Sequence, residues 1–268
     1  MYEAYWGLTE PPFENTPDPR FLYLSKQHEE GLTRLFYVVK SRKGAGMMTG
    51  VFGCGKTLLA RAVIRGLQQS GHRIAYITNP RLDSLEMLRM ILYTLGIPNP
   101  PLHKSDVLFQ LQDILSNNSR DGRETVVAID EAHVIQDPEI FEEIRLLLNF
   151  QLEEKFLITL FLIGQPELRD KVEANKAFAQ RIAMRFHLEP FALEETDPYI
   201  AHRLSVAGRK EPIFTPEAIR FIHERSGGIP RRINQICDMS LFTGYVRRSE
   251  RVSNEIVEEA MASVEGRT

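Results

Sequence analysis

Cysteine is scarce in this 268-residue sequence, which has only Cys54 and Cys237. Two cysteines exclude a disulfide framework and fit a reducing compartment. Long apolar runs are missing as well, because the longest, at residues 156–163, is too short to cross a bilayer as a helix. The first residues also lack the basic and then apolar pattern of a signal peptide. These absences predict a cytoplasmic protein with no direct membrane insertion, which reaches a membrane only through a partner.

An excess of basic charge is also missing. The 33 Lys and Arg residues are balanced by 36 Asp and Glu residues, and neither side of residue 193 is basic. Because duplex binding normally uses many Lys and Arg contacts, this balance disfavours nucleic acid as a partner, although a local basic patch stays possible. The seven histidines show no metal-ligand spacing, which argues against a zinc site.

Apolar patterns divide the sequence into two parts near residue 190. Continuous apolar runs predict strands at residues 44–49, 73–78, 125–130, 157–164 and 185–188. Helical spacing predicts helices at residues 27–42, 57–69, 83–95, 106–117 and 138–154. Strands that alternate with helices predict an α/β fold, in which helices sandwich a parallel sheet.

The strand signal stops after Pro190, and helix-start signals follow. Asp197-Pro198 and Thr215-Pro216 each combine a capping side chain with proline at the first helical position, and Ser253 is a further cap. Residues 1–24 are rich in proline and aromatics, which predicts an ordered arm packed on a domain. We therefore predict an α/β domain over residues 1–193, including the arm, and a small all-helical lid over residues 194–268.

Residues 50–57, GVFGCGKT, match the pattern G-x-x-x-x-G-K-[ST] in full. Several backbone N–H groups must converge on a phosphate, and Gly50, Gly53 and Gly55 let the backbone curl closely enough. Lys56 would neutralise the β- and γ-phosphates, and the Thr57 hydroxyl would bind Mg²⁺. The pattern therefore predicts ATP and Mg²⁺ as the cofactors of a P-loop NTPase. The predicted nucleotide-binding residues of this segment are Gly50, Gly53, Cys54, Gly55, Lys56, Thr57 and Leu58.

Polar residues follow two of the predicted buried strands. In ETVVAIDEAH, Asp130 is placed to bind the metal and Glu131 to take a proton from the attacking water. In LFLIGQPEL, Gln165 is placed to orient that water. The alternatives are a solvated turn for the acidic pair and a helix cap or turn group for Gln165.

Two pairs of arginines complete the candidate site. Arg181 and Arg185 are four residues apart, one turn of a helix, and either could stabilise a transferring phosphoryl group from a neighbouring subunit. Arg231 and Arg232 fall in the first turn of a predicted lid helix, where cations oppose the helix dipole unless a phosphate lies nearby. The alternative for both pairs is an exposed, solvated helix face.

These motifs together resemble the AAA+ superfamily, and more narrowly the ExeA-like ATPases of general secretion. The likeness spans WGL…PPF…PDPRFLYLSKQHEEGL, the phosphate loop, VVAIDEAH, LIGQPEL, QRIAMRFHLEPF and GGIPRRINQICD. The resemblance implies a Walker B pair, a first sensor, a trans-acting arginine finger and a second sensor. The residues matching these roles are Asp130 and Glu131, Gln165, Arg181 or Arg185, and Arg231, in that order. It also implies that Pro12, Phe13, Tyr23 and His28 lie near the adenine.

The sequence departs from this family in two respects. Val51 stands where the phosphate loop often carries an acidic residue. Secretion members continue into a membrane span and a peptidoglycan-binding domain, whereas this sequence ends after the predicted lid. We expect either a piece of such a protein or a short relative similar to the ATPase of MSHA-type pilus biogenesis.

Three functions follow from the residues and the resemblance. The first is an ATP-driven assembly switch for a secretion or pilus machine, acting as a dimer or ring with an envelope protein partner, peripheral to the inner membrane. The second is a DNA-associated ATPase, because the core also resembles transposition regulators of the TnsC and TniB kind. The third is a nucleotide-gated scaffold. The charge balance weighs against the second function, and Glu131 weighs against a purely structural role.

Overall fold

The computed structural model describes residues 1–152 and 155–264. Two compact units share the chain. One unit, called here the sheet unit, comprises Lys26–Phe52 and Leu59–Leu188. The other, called here the helical unit, comprises Met1–Ser25, Gly53–Leu58 and Glu189–Thr268.

Helices and strands alternate through most of the chain. The helices are α1 (Glu3–Trp6), α2 (Lys26–Lys40), α3 (Lys56–Gln69), α4 (Ser84–Thr94), α5 (Lys104–Arg120), α6 (Pro138–Leu147), α7 (Glu167–Ala174), α8 (Lys176–Ala179), α9 (Leu193–Val206), α10 (Pro216–Ser226), α11 (Pro230–Val246) and α12 (Asn254–Val264). The strands are β1 (Ala45–Gly50), β2 (Arg73–Ile77), β3 (Thr125–Ile129), β4 (Gln151–Leu152), β5 (Lys155–Phe156), β6 (Ile158–Gly164) and β7 (Ile182–Leu188). Short 3₁₀ turns span Pro19–Phe21 and Ala132–Val134.

The sheet unit is built on parallel strands in the order β2-β3-β6-β1-β7. Strands β3 and β6 are central and every residue in them is buried, which explains their continuous apolar sequences TVVAI and ITLFLIG. Helices α4, α5 and α6 flank the sheet and contribute leucines and isoleucines to its core. The predicted parallel sheet with flanking helices is therefore confirmed.

The strand order fixes which loops share one edge of the sheet. Because the strands are parallel, β1, β3 and β6 all end at the same edge. The register pairs Thr49 of β1 with Gly164 of β6, and Ile129 of β3 with Leu162 of β6. The residues that directly follow β3 and β6 are therefore neighbours, although more than thirty residues separate them in sequence.

Two predicted element boundaries differ from the structure. The helix predicted at residues 138–154 ends at Leu147, and an antiparallel hairpin of β4 and β5 follows, with residues 153–154 outside the described residues. The alternating apolar residues of this stretch fit a strand as well as a helix, which is why the pattern misled. The strand predicted at residues 185–188 begins at Ile182.

Pro198 lies inside α9 and does not begin it, contrary to the prediction. The helix starts at Leu193, and the Glu195 carboxylate accepts the backbone N–H of Ala192 at 3.0 Å. The start predicted at Thr215 is present, because its side chain accepts the N–H of Ala218 at 3.2 Å. The acceptor at the start of α9 is thus Glu195, three residues after the N-cap residue Ala192. The Asp197-Pro198 pair, which predicts a later start, does not indicate it.

The helical unit contains the N-terminal arm as well as α9 to α12. Trp6 is buried and its indole N–H donates to Leu241 O at 2.9 Å, while Tyr2 donates to Asp238. Phe13 packs edge to face against Phe214. The predicted division, which placed the arm with the α/β domain, differs in this respect from the structure, because aromatic side chains of the arm complete the helical core.

None of the helices within residues 1–152 and 155–264 has both the length and the apolar character that a membrane crossing requires.

Candidate nucleotide-hydrolysis site

Asp130 follows β3 at the carboxyl edge of the sheet and is buried. Its Oδ2 accepts the Tyr76 hydroxyl at 2.7 Å, and its Oδ1 accepts the Glu131 backbone N–H at 2.9 Å. Burial and the charge of Asp130 raise the pKa of Tyr76, so this phenol stays protonated and donates. Two donors therefore fix the plane of the predicted metal-binding carboxylate.

Glu131 has a backbone conformation that is unusual for a residue with a side chain. Its φ of 54° and ψ of 28° lie in the left-handed region, which costs about 1 kcal/mol or more for a non-glycine residue. Its side chain is 39% exposed, in contrast to the buried Asp130 beside it. The backbone twist thus separates the two carboxylates, one held inside the unit and one presented at its surface.

Gln165 directly follows β6 and contacts His133 in the 3₁₀ turn after Glu131. The Gln165 side-chain Nε2 lies 3.0 Å from His133 Nε2, and the backbone N of Gln165 lies 3.3 Å from His133 Nδ1. His133 Nε2 is in turn 3.5 Å from Glu131 Oε2. The structure therefore brings the predicted general base and first sensor together through one imidazole.

The phosphate loop begins where β1 ends at Gly50. Gly53 has a φ of 89° and Gly55 a φ of 97°, which are left-handed conformations open to glycine. Lys56 is the first residue of α3 and is buried, and Thr57 and Leu58 follow it in the first turn. Cys54 is also buried. Its predicted contact with a phosphate would therefore be made by its backbone N–H and not by its side chain.

Arg231 and the phosphate loop are joined within the helical unit. The backbone N–H of Arg231 donates to Gly53 O at 3.2 Å, at the start of α11. A Cβ at position 53 would lie 2.8 Å from Arg231 Cβ and 3.0 Å from Ile229 Cγ2. Only glycine therefore fits at position 53, for reasons of conformation and of space together. The predicted second sensor is thus packed on the loop it was predicted to serve.

Arg181 and Arg185 do not share a helical face, contrary to the prediction. Arg181 follows α8, and Arg185 lies within β7. The Arg185 guanidinium pairs with Glu173 and donates to Ala179 O at 3.0 Å. The Arg181 guanidinium lies 6.0 Å from the centroid of the Phe156 ring. The four-residue spacing fits a helix, but the neighbouring Ile182, Met184 and Phe186 continue as a strand beside β1.

Of the four residues predicted beside the adenine, Phe13 and His28 lie in different units and are both buried. Phe13 belongs to the core of the helical unit, whereas His28 lies on α2 in the sheet unit. Packing accounts for Phe13 without any ligand, and its predicted contact with the base stays a prediction.

Tyr76 and His133 are functional candidates that the sequence reasoning missed. Tyr76 is the fourth residue of β2 and gave no motif signal, since only the strand order places it beside Asp130. The sequence signal for His133 is its position two residues after Glu131.

The donor chemistry at these positions fits Mg²⁺. Hydroxyl and carboxylate oxygens are the ligands that Mg²⁺ prefers, and Mg²⁺ usually takes only one or two from the protein and the rest from phosphates and water. Thr57 in the helical unit has a hydroxyl oxygen of this kind, and Asp130 in the sheet unit has a carboxylate, so each residue fits its predicted role toward Mg²⁺. Among the described residues there is no cluster of three or more His, Cys, Asp or Glu side chains that could hold a metal alone.

Comparison with known proteins identifies the family. A sequence profile of the AAA domain family matches residues 39–172, half of the chain. The chain belongs to this family. It is therefore a nucleotide-binding P-loop ATPase, and the resemblance to AAA+ proteins found in the sequence is confirmed.

A curated relative extends the match beyond the AAA domain. General secretion pathway protein A of Aeromonas hydrophila is 39% identical over 270 residues, which cover 99% of this chain and 49% of that protein. The chain thus spans about half the length of that relative. The similarity covers the N-terminal arm and the helices after residue 188, and confirms the resemblance to this branch of the family.

Solved structures confirm the fold. Cdc6p of Pyrobaculum aerophilum superposes with a TM-score of 0.72 at 16% identity, over 94% of this chain and 70% of that one. The ORC2 protein of Aeropyrum pernix, solved as ADPNP and ADP complexes, superposes with a TM-score of 0.69 at 18% identity, over 94% and 71%. At these identities the likeness shows the architecture alone.

Proposed function

We propose that this ATPase hydrolyses ATP with Mg²⁺ to drive or time the assembly of a secretion or pilus machine in the cell envelope. It would act in the cytoplasm as a dimer or ring and would reach the inner membrane through an envelope protein partner. The observation that carries the proposal is the 39% identity to general secretion pathway protein A, which extends over the arm and the helical unit and so exceeds what a shared ATPase core requires.

The proposed chemistry follows from the residues at the sheet edge. Glu131 takes a proton from the attacking water, and Gln165 orients that water. Lys56 and the phosphate loop hold the phosphates, and Arg231 contacts them from the start of α11. Mg²⁺, when bound by Thr57 and Asp130, would neutralise charge that develops on the phosphate oxygens.

Arg181 is the better candidate for an arginine finger that acts on a neighbouring subunit. The guanidinium of Arg185 is already engaged by Glu173 and Ala179 O of its own subunit. Arg181 instead lies over the aromatic ring of Phe156. This is a cation–π contact, not an ion pair or a hydrogen bond. A change of partner would therefore cost Arg181 less than Arg185.

The first test is the steady-state ATPase rate as a function of protein concentration, with and without duplex DNA at moderate salt. A rate per subunit that rises with protein concentration and does not change when DNA is added supports a self-assembling switch. Strong stimulation by DNA overturns the proposal in favour of a DNA-associated ATPase. The Lys56→Ala protein, which should not bind nucleotide in calorimetry, controls for contaminating ATPases.

Subunit mixing tests the finger. Arg181→Ala and Glu131→Gln are each expected to be inactive, because one lacks the finger and the other lacks the base. When mixed, they should regain activity at sites that combine an intact base with a finger from the other subunit. Arg185→Ala is the matched control and should keep its own activity. Failure of the first mixture to regain activity would assign Arg181 a role within its own subunit.

A further inference from the structure

The imidazole of His133 is in contact with both residues that are proposed to act on the attacking water. Its Nε2 lies 3.5 Å from Glu131 Oε2 and 3.0 Å from the Gln165 side-chain nitrogen. Its Nδ1 lies 3.3 Å from the Gln165 backbone nitrogen. The His133 side chain is only 13% exposed, so these contacts are partly shielded from water.

The hydrogen-bond roles of the ring follow from one fixed donor. A backbone N–H can only donate, so Nδ1 of His133 accepts from Gln165 and carries no hydrogen. In a neutral imidazole the single N–H is then at Nε2. The Gln165 amide can accept that N–H only through its oxygen, which a half turn of the carboxamide brings to the ring. The Nε2–H thus faces two acceptors, this amide oxygen and the Glu131 carboxylate.

The surrounding backbone is shaped to hold the ring at this place. A Cβ at Gly164 would lie 3.1 Å from His133 N and 3.3 Å from His133 Nδ1. Glycine at the end of β6 therefore permits the close approach of the imidazole. On the other side, Lys171 Nζ donates to His133 O and to Ile135 O, the latter at 2.6 Å. The turn that carries His133 is thereby tied to α7.

We propose that His133 is a positioning residue for ATP hydrolysis. Its Nε2–H holds the Gln165 carboxamide with the oxygen toward the ring, which directs the amide NH₂ away from it. The same N–H restrains the carboxylate of Glu131, whose left-handed backbone presents it at the surface. This inference rests on the proposed roles of Glu131 and Gln165 in ATP hydrolysis.

Two substitutions of His133 separate its hydrogen bond from its volume. Leucine keeps much of the bulk without a donor, whereas glutamine keeps an amide N–H near the position of Nε2. A misplacement of about 1 Å in a reacting group can cost about 10²-fold in rate. We expect His133→Leu to lower kcat about tenfold or more with an unchanged Kd for a fluorescent ATP analogue, and His133→Gln to regain most of that loss. Equal kcat for His133→Leu and wild type overturns the proposal.

A double-mutant cycle shows whether His133 acts through Gln165. If it does, the fall in kcat caused by His133→Leu should be smaller in the Gln165→Ala background than in the wild type. Lys171→Met is the control, because it loosens the same turn without touching the imidazole. If Lys171→Met reproduces both the melting temperature and the kcat of His133→Leu, or if the cycle is additive, the role of His133 is merely structural.

An NMR measurement tests the geometry independently of turnover. Long-range ¹H–¹⁵N spectra of the labelled protein, assigned with His133→Gln, should show an unprotonated Nδ1 and a protonated Nε2. The opposite tautomer overturns the inference even if the protein is an active ATPase. Conversely, absence of ATP turnover by the wild-type protein overturns the proposed function. Because the wild type is measured before any variant, this failure is distinguishable from a failure of the inference about His133.

Discussion

The sheet unit and the helical unit place their buried polar groups in different ways. In the sheet unit the core is aliphatic, and the polar residues Asp130 and Gln165 follow strands at one edge. In the helical unit, Arg203, Tyr199 and Asn234 are buried within an aromatic core. The buried charged residue Asp130 thus lies at the margin of one core, and the buried Arg203 lies in the interior of the other.

Arg203 shows what the interior polar groups of the helical unit do. Its guanidinium donates to Pro12 O at 2.5 Å, to Glu14 O at 2.9 Å and to the Tyr199 hydroxyl at 3.2 Å, and it lies 4.7 Å from the Phe21 ring centroid. Most of these partners belong to the arm, and the carbonyl of the buried Pro12 would otherwise lack this donor. The comparison therefore teaches that the polar residues of the sheet edge are the ones proposed to serve chemistry, whereas Arg203 in the helical core joins the arm to the helices.

The largest effect should come from the sheet edge and should spare stability. Glu131→Gln removes the proposed general base, so kcat should fall about 10²- to 10⁴-fold while ATP still binds. Single-turnover hydrolysis and calorimetry measure the two quantities. Loss of the carboxylate should not lower the melting temperature by more than a degree or two, since its left-handed backbone is unchanged. A variant that hydrolyses ATP normally contradicts the assignment of the base.

Truncation of Trp6 should unfold the helical unit at lower denaturant concentration. Trp6→Ala removes a buried indole that also donates to Leu241 O, which should cost about 3–5 kcal/mol of unfolding free energy. Urea unfolding followed by circular dichroism measures this loss, with Trp6→Phe as a partial replacement. An effect below about 1 kcal/mol would show that the arm does not belong to the core of this unit.

Removal of the Arg203 guanidinium should cost nearly as much. Arg203→Met leaves the carbonyls of Pro12 and Glu14 without a donor, and we expect a loss of about 3 kcal/mol. Because Trp6 is the only tryptophan, its fluorescence reports the helical unit selectively. The unfolding midpoint seen by fluorescence should therefore fall. Arg220→Met, an exposed arginine in the same unit, should change it by less than 0.5 kcal/mol.

Helix caps should have equal effects in the two units, because their energetics depend on local backbone groups. Thr215 caps α10 in the helical unit, and Asp83 caps α4 in the sheet unit with a reciprocal bond from Glu86. Substitution of either residue by alanine should cost about 1 kcal/mol. Unequal losses from denaturant titration would show that the contrast between the units extends to their local structure.

The smallest effect concerns acid stability in the sheet unit. Hydrogen bonds from Arg145, and then from Asn175, lower the pKa of Glu142 from its ordinary 4.5 to about 2. A lowered pKa in the folded state stabilises the protein above the unfolded value, and that contribution is lost as the pH falls from about 4.5 toward 2. The stability difference between wild type and Glu142→Gln should therefore be constant near neutrality and shrink through this range. A difference independent of pH would exclude the proposed pairing.

The parts of the fold that could be predicted are those with strong local signals. Strands β1, β3 and β6 have continuous apolar sequences because both faces are buried, and the phosphate loop follows one of them. Asp130, Glu131 and Gln165 could be proposed as site residues because they directly follow such strands.

The parts that were missed depend on contacts between distant residues. The arm joins the helical unit through Trp6 and Leu241, which a pattern within either segment cannot reveal. His133 meets Gln165 only because β3 and β6 are adjacent, and strand order is not encoded locally. The prediction for Arg181 and Arg185 was wrong for a local reason. A separation of four residues is compatible with both a helix and a strand, so the spacing alone does not decide between them.

Through Arg203 and Trp6, the first 25 residues bind the helical unit as a separate peptide would, although they are part of the same chain. Its aromatic side chains pack into the core of the helical unit, and the buried guanidinium holds its backbone as a receptor would hold a ligand. A fragment that starts at Lys26 would therefore leave uncovered the apolar side chains of the helical unit that Trp6 and Phe13 contact.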